Sequence, residues 1–158
     1  MDHLWTPWRM KYLENEAHPH ECPFCLVLKE ANQDEMYLVS RGKNAFVILN
    51  CYPYTTGHLL VLPIEHQEEL SSLDQVTRAE MMEMINHAME VLRDVYQPDG
   101  FNVGLNMGEA AGAGIPKHLH WHVVPRWSGD TNFMTIAGSV RVLPELLVDT
   151  LKKIRSAW

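Results

Sequence analysis

The sequence predicts an α+β domain: a mainly antiparallel five-stranded sheet, a long helix packed on one face, and a C-terminal helix. Three observations carry that prediction. Five short segments are apolar or alternate apolar with polar residues, which is the period of a strand. One long segment after Ser71 repeats instead at helical spacing. The connections among the early strands are short and turn-rich, which suits antiparallel hairpins better than crossovers, with one face of the sheet covered by helices and the other available for a ligand. The 158 residues are read as a single domain, with 1–21 an N-terminal extension, 22–136 the core and 137–158 a C-terminal helical segment.

Taken in order, the two prolines of HPHECPFC disfavour a long regular element before Cys25, and CLVLKEA reads as a short helix. EMYLVS (35–40) and NAFVILN (44–50) read as strands joined by a turn at Gly42, and HLLVLP (58–63) as a third after CYPYTTG. Ser72 with Gln75 three residues on fits a capping box. Met81, Met82, Ile85, Ala88, Met89, Leu92 and Val95 then fall at helical spacing, and the helix should stop near Tyr96, before Pro98. FNVGLNM (101–107) places Phe101, Val103, Leu105 and Met107 on one face and Asn102, Gly104 and Asn106 on the other. At the end, Pro144 stands near the start of a helix with Leu147, Leu151 and Ile154 on its buried stripe. Lys152, Lys153 and Arg155 complement the dipole in its last turns.

The fifth strand carries the chemistry. In HLHWHVV (118–124) His118, His120 and His122 share one face of a strand, at intervals of about 6.6–7 Å, and Leu119, Trp121 and Val123 the other. A neutral imidazole with one nitrogen fixed by a hydrogen bond is a competent nucleophile near pH 7, and flanking imidazoles hold phosphate oxygens or protonate a leaving group. The glycine-rich stretch GEAAGAGIPK just before it offers main-chain N–H groups to an anion. The same three histidines also suit a catalytic metal.

A formal charge of −7 argues against a broad nucleic-acid surface. No apolar run has the length of a membrane span or the form of a secretory leader, so no membrane partner and a cytoplasmic location are expected. Three cysteines do not make a secreted disulfide framework. CPFC (Cys22, Cys25) reads as half of a zinc site, with two further ligands to come from among His18, His20, His58, His66 and His118. A redox pair and two inert thiols are the alternatives.

HLHWHVV resembles the defining motif of the histidine triad family. NCYPYTTGHLLVLPIEH and FNVGLNMGEAAGAGIPKHLHWHVVPRWSGDTNFM are similar to its diadenosine polyphosphate hydrolase and phosphorylase branch, over roughly residues 20–135. The resemblance implies the histidine triad fold and a nucleotidyl-histidine intermediate on His120, with His118 and His122 beside it. It places His58 and Asn106 near the substrate and Asn50 on the ribose. Gly112 and Gly114 would lie by the phosphates, and Phe46 and Ile48 by the base. It also implies zinc on Cys22, Cys25, His66 and His118, a nucleotide substrate, and a homodimer joined through its sheets. The sequence departs from the family where many hydrolases carry a Gly-Gln pair, because Ala113 and Gly114 stand there. The lost side chain would leave room for inorganic phosphate as the acceptor. Competing readings are a general purine nucleoside phosphoramidate or nucleotide-ester hydrolase, and a zinc-stabilised nucleotide-binding module without catalysis.

Overall fold

The computed structural model describes residues 22–29, 37–130 and 142–158. The expectations for 1–21, for residues 35 and 36 of the first strand, and for 131–141 lie outside the described residues. Five strands form one antiparallel sheet: β1 (Leu38–Arg41), β2 (Ala45–Leu49), β3 (Leu59–Pro63), β4 (Gly100–Leu105) and β5 (Trp121–Arg126). Their order across the sheet is β1-β2-β3-β5-β4. Three helices complete the described fold: α1 (Pro23–Lys29), α2 (Gln75–Tyr96) and α3 (Leu147–Ala157).

Every residue of β2 and β3 is buried, because these central strands are covered on both faces. On one face Val47, Leu49, Leu59, Val61, Leu119 and Val123 pack with Met81, Ile85, Ala88 and Leu92 of α2 and with Leu151 and Ile154 of α3. On the other, Phe46, Ile48, Leu60 and Leu62 meet Phe24 and Val27 of α1. The expectation of a face left open for ligand is corrected here, since α1 closes part of it. The contact is made by two buried apolar side chains, Phe24 and Val27, on a helix of seven residues.

Several local expectations shift. Ser72 does not cap α2 but ends a 3-10 turn, Leu70–Ser72. The cap is Asp74, whose carboxylate accepts the Thr77 N–H at 2.6 Å. Met82 is half exposed, off the buried stripe of α2, and Val103 and Met107 are exposed too, on and just after β4 at the edge of the sheet. Leu147 and Pro144 hold close to expectation: α3 begins three residues after Pro144 and buries Thr150, Leu151 and Ile154. At the turn before β3, Gly57 takes φ +81°, which strains any side chain, and a Cβ there would press on the Leu92 side chain at 3.0 Å. No helix among the described residues is long and apolar enough to cross a membrane.

Candidate active site

The period-2 pattern of HLHWHVV survives although ladder pairing begins only at Trp121. Leu119 and Val123 enter the α2-side core, and His118 and His120 turn to the other face, where both are buried beneath Phe24. The Phe24 ring lies 5.6 Å from that of His118 and 5.1 Å from that of His120. Register places His122 opposite Leu60 of β3 and Gly104 of β4. Nothing stands within 4 Å of where a Gly104 Cβ would be, so β4 leaves the space in front of His122 open.

Each imidazole of the run has a different set of partners. His118 Nε2–H donates to the Pro63 carbonyl at 3.0 Å, and its Nδ1 faces Cys22 Sγ at 3.4 Å and Cys25 Sγ at 3.6 Å. Both ring nitrogens of His118 therefore have partners, one a backbone carbonyl and the other the cysteine pair. His120 Nδ1 lies 2.9 Å from the His118 carbonyl oxygen. Only an N–H can bridge that gap, so the neutral ring carries its proton on Nδ1 and its lone pair on Nε2. Burial holds the His120 pKa below its ordinary value, against an opposing pull from the carbonyl, and the ring stays unprotonated at neutral pH.

His122 and His58 form a second unit. His58 Nδ1 accepts from the Tyr54 N–H at 3.1 Å and from the Asn50 side-chain amide at 3.3 Å. Its proton is therefore on Nε2, which donates to His122 Nδ1 at 3.0 Å. His122 in turn keeps its own proton on Nε2. Burial, and then the neighbouring His120, push the His122 pKa down to about 4. The resemblance put His58 near the substrate; it is fully buried, with His122 hydrogen-bonded to its Nε2.

The four residues Cys22, Cys25, His66 and His118 offer ligand atoms that all lie within 4.8 Å of one another. His66 Nδ1 is 3.3 Å from Cys25 Sγ. A tetrahedral zinc with ordinary bond lengths separates its sulfur and nitrogen ligands by about 3.6 Å, close to the three S···N distances here. The donor set fits zinc, with Pro63 orienting the His118 ring as an outer hydrogen-bond acceptor. His118, His120 and His122 do not converge on one ion, so the three-histidine metal site is not formed.

The remaining residues divide. Asn106 and His122 line a common cleft of about 990 Å³. Asn50, at the end of β2, accepts the Tyr52 N–H at 2.9 Å. Gly112 ends a 3-10 turn at φ +84° and Gly114 is exposed, with open space where its Cβ would stand. Phe46 and Ile48 do not face a cleft: both are core residues beneath α1, and Phe46 is fully buried. Sequence reading missed Phe24, which lids two of the histidines from between the cysteines, and Tyr54, whose ring stacks on His122 at 5.8 Å and 15°. Tyr54 stands four residues before His58, and that spacing was the available signal.

Comparison with known proteins agrees with this geometry. The HIT domain model matches residues 31–129. The chain is 42% identical over 167 aligned residues to AP-4-A phosphorylase of Mycobacterium tuberculosis (strain H37Rv), covering 100% of this chain and 85% of that one. A zinc-bound histidine triad family protein from Mycobacterium smegmatis superposes with TM-score 0.69 at 30% identity, covering 87% of this chain and 92% of that one. A hypothetical histidine triad nucleotide-binding protein from Sulfolobus tokodaii gives TM-score 0.69 at 30% identity, covering 86% and 91%.

Proposed function

This chain belongs to the HIT domain family, and from that premise we propose that it is an enzyme splitting dinucleoside polyphosphates of the diadenosine tetraphosphate type, with inorganic phosphate as acceptor. The observation that carries the reading is the similarity to an AP-4-A phosphorylase along the whole chain. The arrangement of the histidines is compatible with it.

In this mechanism His120 Nε2 attacks the α-phosphorus. The P–N bond forms, the P–O bond to the leaving nucleotide breaks, and ATP departs from an adenylyl-His120. A phosphate oxygen then attacks the same phosphorus and breaks the P–N bond, so the sum is diadenosine tetraphosphate plus phosphate giving ATP plus ADP. The His118 carbonyl keeps Nε2 of His120 available for attack. His122 presents its Nε2–H to the bridging oxygen, a neutral donor at pH 7 because its pKa is near 4. His58 is a positioning residue that fixes this tautomer. Asn106, Gly112 and Gly114 lie by the phosphates in this reading, and the open space at Gly114 supports room for an acceptor phosphate. Asn50 would hold the ribose.

Zinc is the proposed occupant of Cys22, Cys25, His66 and His118. Bound there, it supplies a closed four-ligand tether and no open coordination position. The tether would join α1 to the run that enters β5, and so steady the carbonyl that orients His120. The reading extends to a cytoplasmic homodimer formed through β4, the edge of the sheet, which light scattering on purified protein tests directly.

The experiment incubates the protein with diadenosine tetraphosphate, with and without phosphate, and separates the nucleotides by chromatography beside a His120→Ala control. ADP with ATP, formed only when phosphate and His120 are both present, is the expected result. AMP with ATP regardless of phosphate would make the enzyme a hydrolase. No turnover in either condition would refute the proposal.

A further inference from the structure

The His120 imidazole is held by one hydrogen bond and two ring contacts. Its Nδ1 meets the His118 carbonyl at 2.9 Å. The His122 ring lies 5.0 Å away at 66°, and the Phe24 ring 5.1 Å away at 58°. A single hydrogen bond of this kind favours the bonded orientation by only about two- to tenfold. That is a weak hold for a group that must aim one nitrogen at phosphorus, where a misplacement of about 1 Å costs about 10²-fold in rate. The ring contacts supply the rest of the confinement.

Phe24 is built to be one wall. It also meets His118 edge-on, at 5.6 Å and 87°, so it spans the interval from 118 to 120, and His122 follows on the other side along the run. The His120 ring is thereby bounded in both directions. His122 is itself held in place by His58. Phe24 is 7% exposed and packs with Phe46, Ile48, Leu60 and Leu62, so its ring has no free volume to retreat into. Its backbone is equally fixed, in the first turn of α1. Pro23 presets the entry to the helix, and the Leu26 N–H donates to the Cys22 carbonyl at 3.1 Å. Cys22 and Cys25, on either side of Phe24, reach into the same cluster with His66 and His118.

We infer that Phe24 is a positioning residue for the nucleophile: its ring confines the His120 imidazole and so keeps Nε2 in line with the phosphorus it attacks. Phe24 moves no proton and donates nothing to the substrate. Because it acts through His120, its loss slows the chemical step and leaves the hold on the substrate unchanged. The inference rests on the function proposed above and adds the residue that aims its nucleophile.

The test measures kcat and KM on diadenosine tetraphosphate, with phosphate present, in the wild type, Phe24→Leu, Phe24→Met and Phe24→Tyr, each prepared with zinc and checked for bound metal. Leucine and methionine keep the apolar bulk without the flat ring, and tyrosine keeps the ring. In the Leu and Met variants kcat should fall about ten- to hundredfold with KM within about twofold, and Phe24→Tyr should retain most of the rate. Proton NMR gives a second readout that needs no substrate. The His120 Nδ1–H, shielded by the His118 carbonyl, should exchange with water faster in the Leu and Met variants than in the wild type or Phe24→Tyr. Equal exchange rates overturn the inference whatever kcat does, and a KM that rises while kcat stays makes Phe24 a substrate contact and overturns it too. A wild type without turnover overturns the proposed reaction, and the exchange rates then decide the confinement of His120 on their own.

Discussion

Replacing His58 with leucine tests the central claim about the site, that a fully buried histidine sets the protonation of one that faces the cleft. The substitution removes the Nε2–H that His122 Nδ1 accepts at 3.0 Å, and the Nδ1 that accepts from the Tyr54 N–H and the Asn50 amide. Tyr54 is exposed and Asn50 half-buried, so water replaces part of what they lose. The group without recourse is His122 Nδ1. One buried polar atom left unpaired costs about 1–3 kcal/mol, and the weakened turn adds a little, so a loss of about 2–4 kcal/mol is expected. A domain of this size ordinarily has about 5–15 kcal/mol of stability, so the variant should still fold. The effect on turnover is larger in proportion, since losing a correctly placed proton donor costs about 10²–10⁴ in kcat. His58→Gln, which keeps an N–H within reach of His122, should recover part of it. Nitrogen NMR of His122 provides the independent readout: its proton should be on Nε2 in the wild type and distributed between both nitrogens in His58→Leu. Full turnover in His58→Leu with the His122 tautomer unchanged would refute the reasoning.

Three other predictions concern the scaffold. Burying Phe24 and Val27 is worth about 3–6 kcal/mol, less than the roughly 7 kcal/mol or more needed to order seven backbone residues. Chelating the metal, or Cys22→Ser, should therefore release α1, seen as faster amide exchange over residues 23–29, and equal protection with and without chelator would contradict the zinc tether. His122 has a folded-state pKa near 4 against about 6.5 unfolded, so between those values the unfolded chain binds more protons. Its contribution to stability is complete above about pH 6.5 and is lost as pH falls toward 4. Urea midpoints should accordingly drop more steeply over that window in the wild type than in His122→Gln. Asp74→Ala removes the cap on the Thr77 N–H and should lower the thermal or urea unfolding midpoint without altering kcat.

The sequence by itself determined the element types, the alternation of the histidine run and the pairing of Cys22 with Cys25, because those depend on residues within a few positions of one another. Period-2 and period-3.6 patterns are local, and so is the reading that puts His120 on the opposite face from Leu119. Its resemblance to a known family supplied His66 and His118 as partners for the cysteines. Residue reasoning alone had left five histidines open, and of the three within the described residues His58 turns to His122 instead. What only the tertiary structure decided depends on contacts between distant segments. Phe24 comes to lie over His118 and His120 from 94 and 96 positions away, turning an expected open face into a lidded one. Phe46 and Ile48 become core for the same reason, since no pattern within β2 shows that α1 covers them. The separate surroundings of His118, His120 and His122, cysteine-facing, carbonyl-bound and paired to His58, follow from which carbonyl, thiol or imidazole the fold brings to each ring. A strand period places three imidazoles on one face and is silent about their partners.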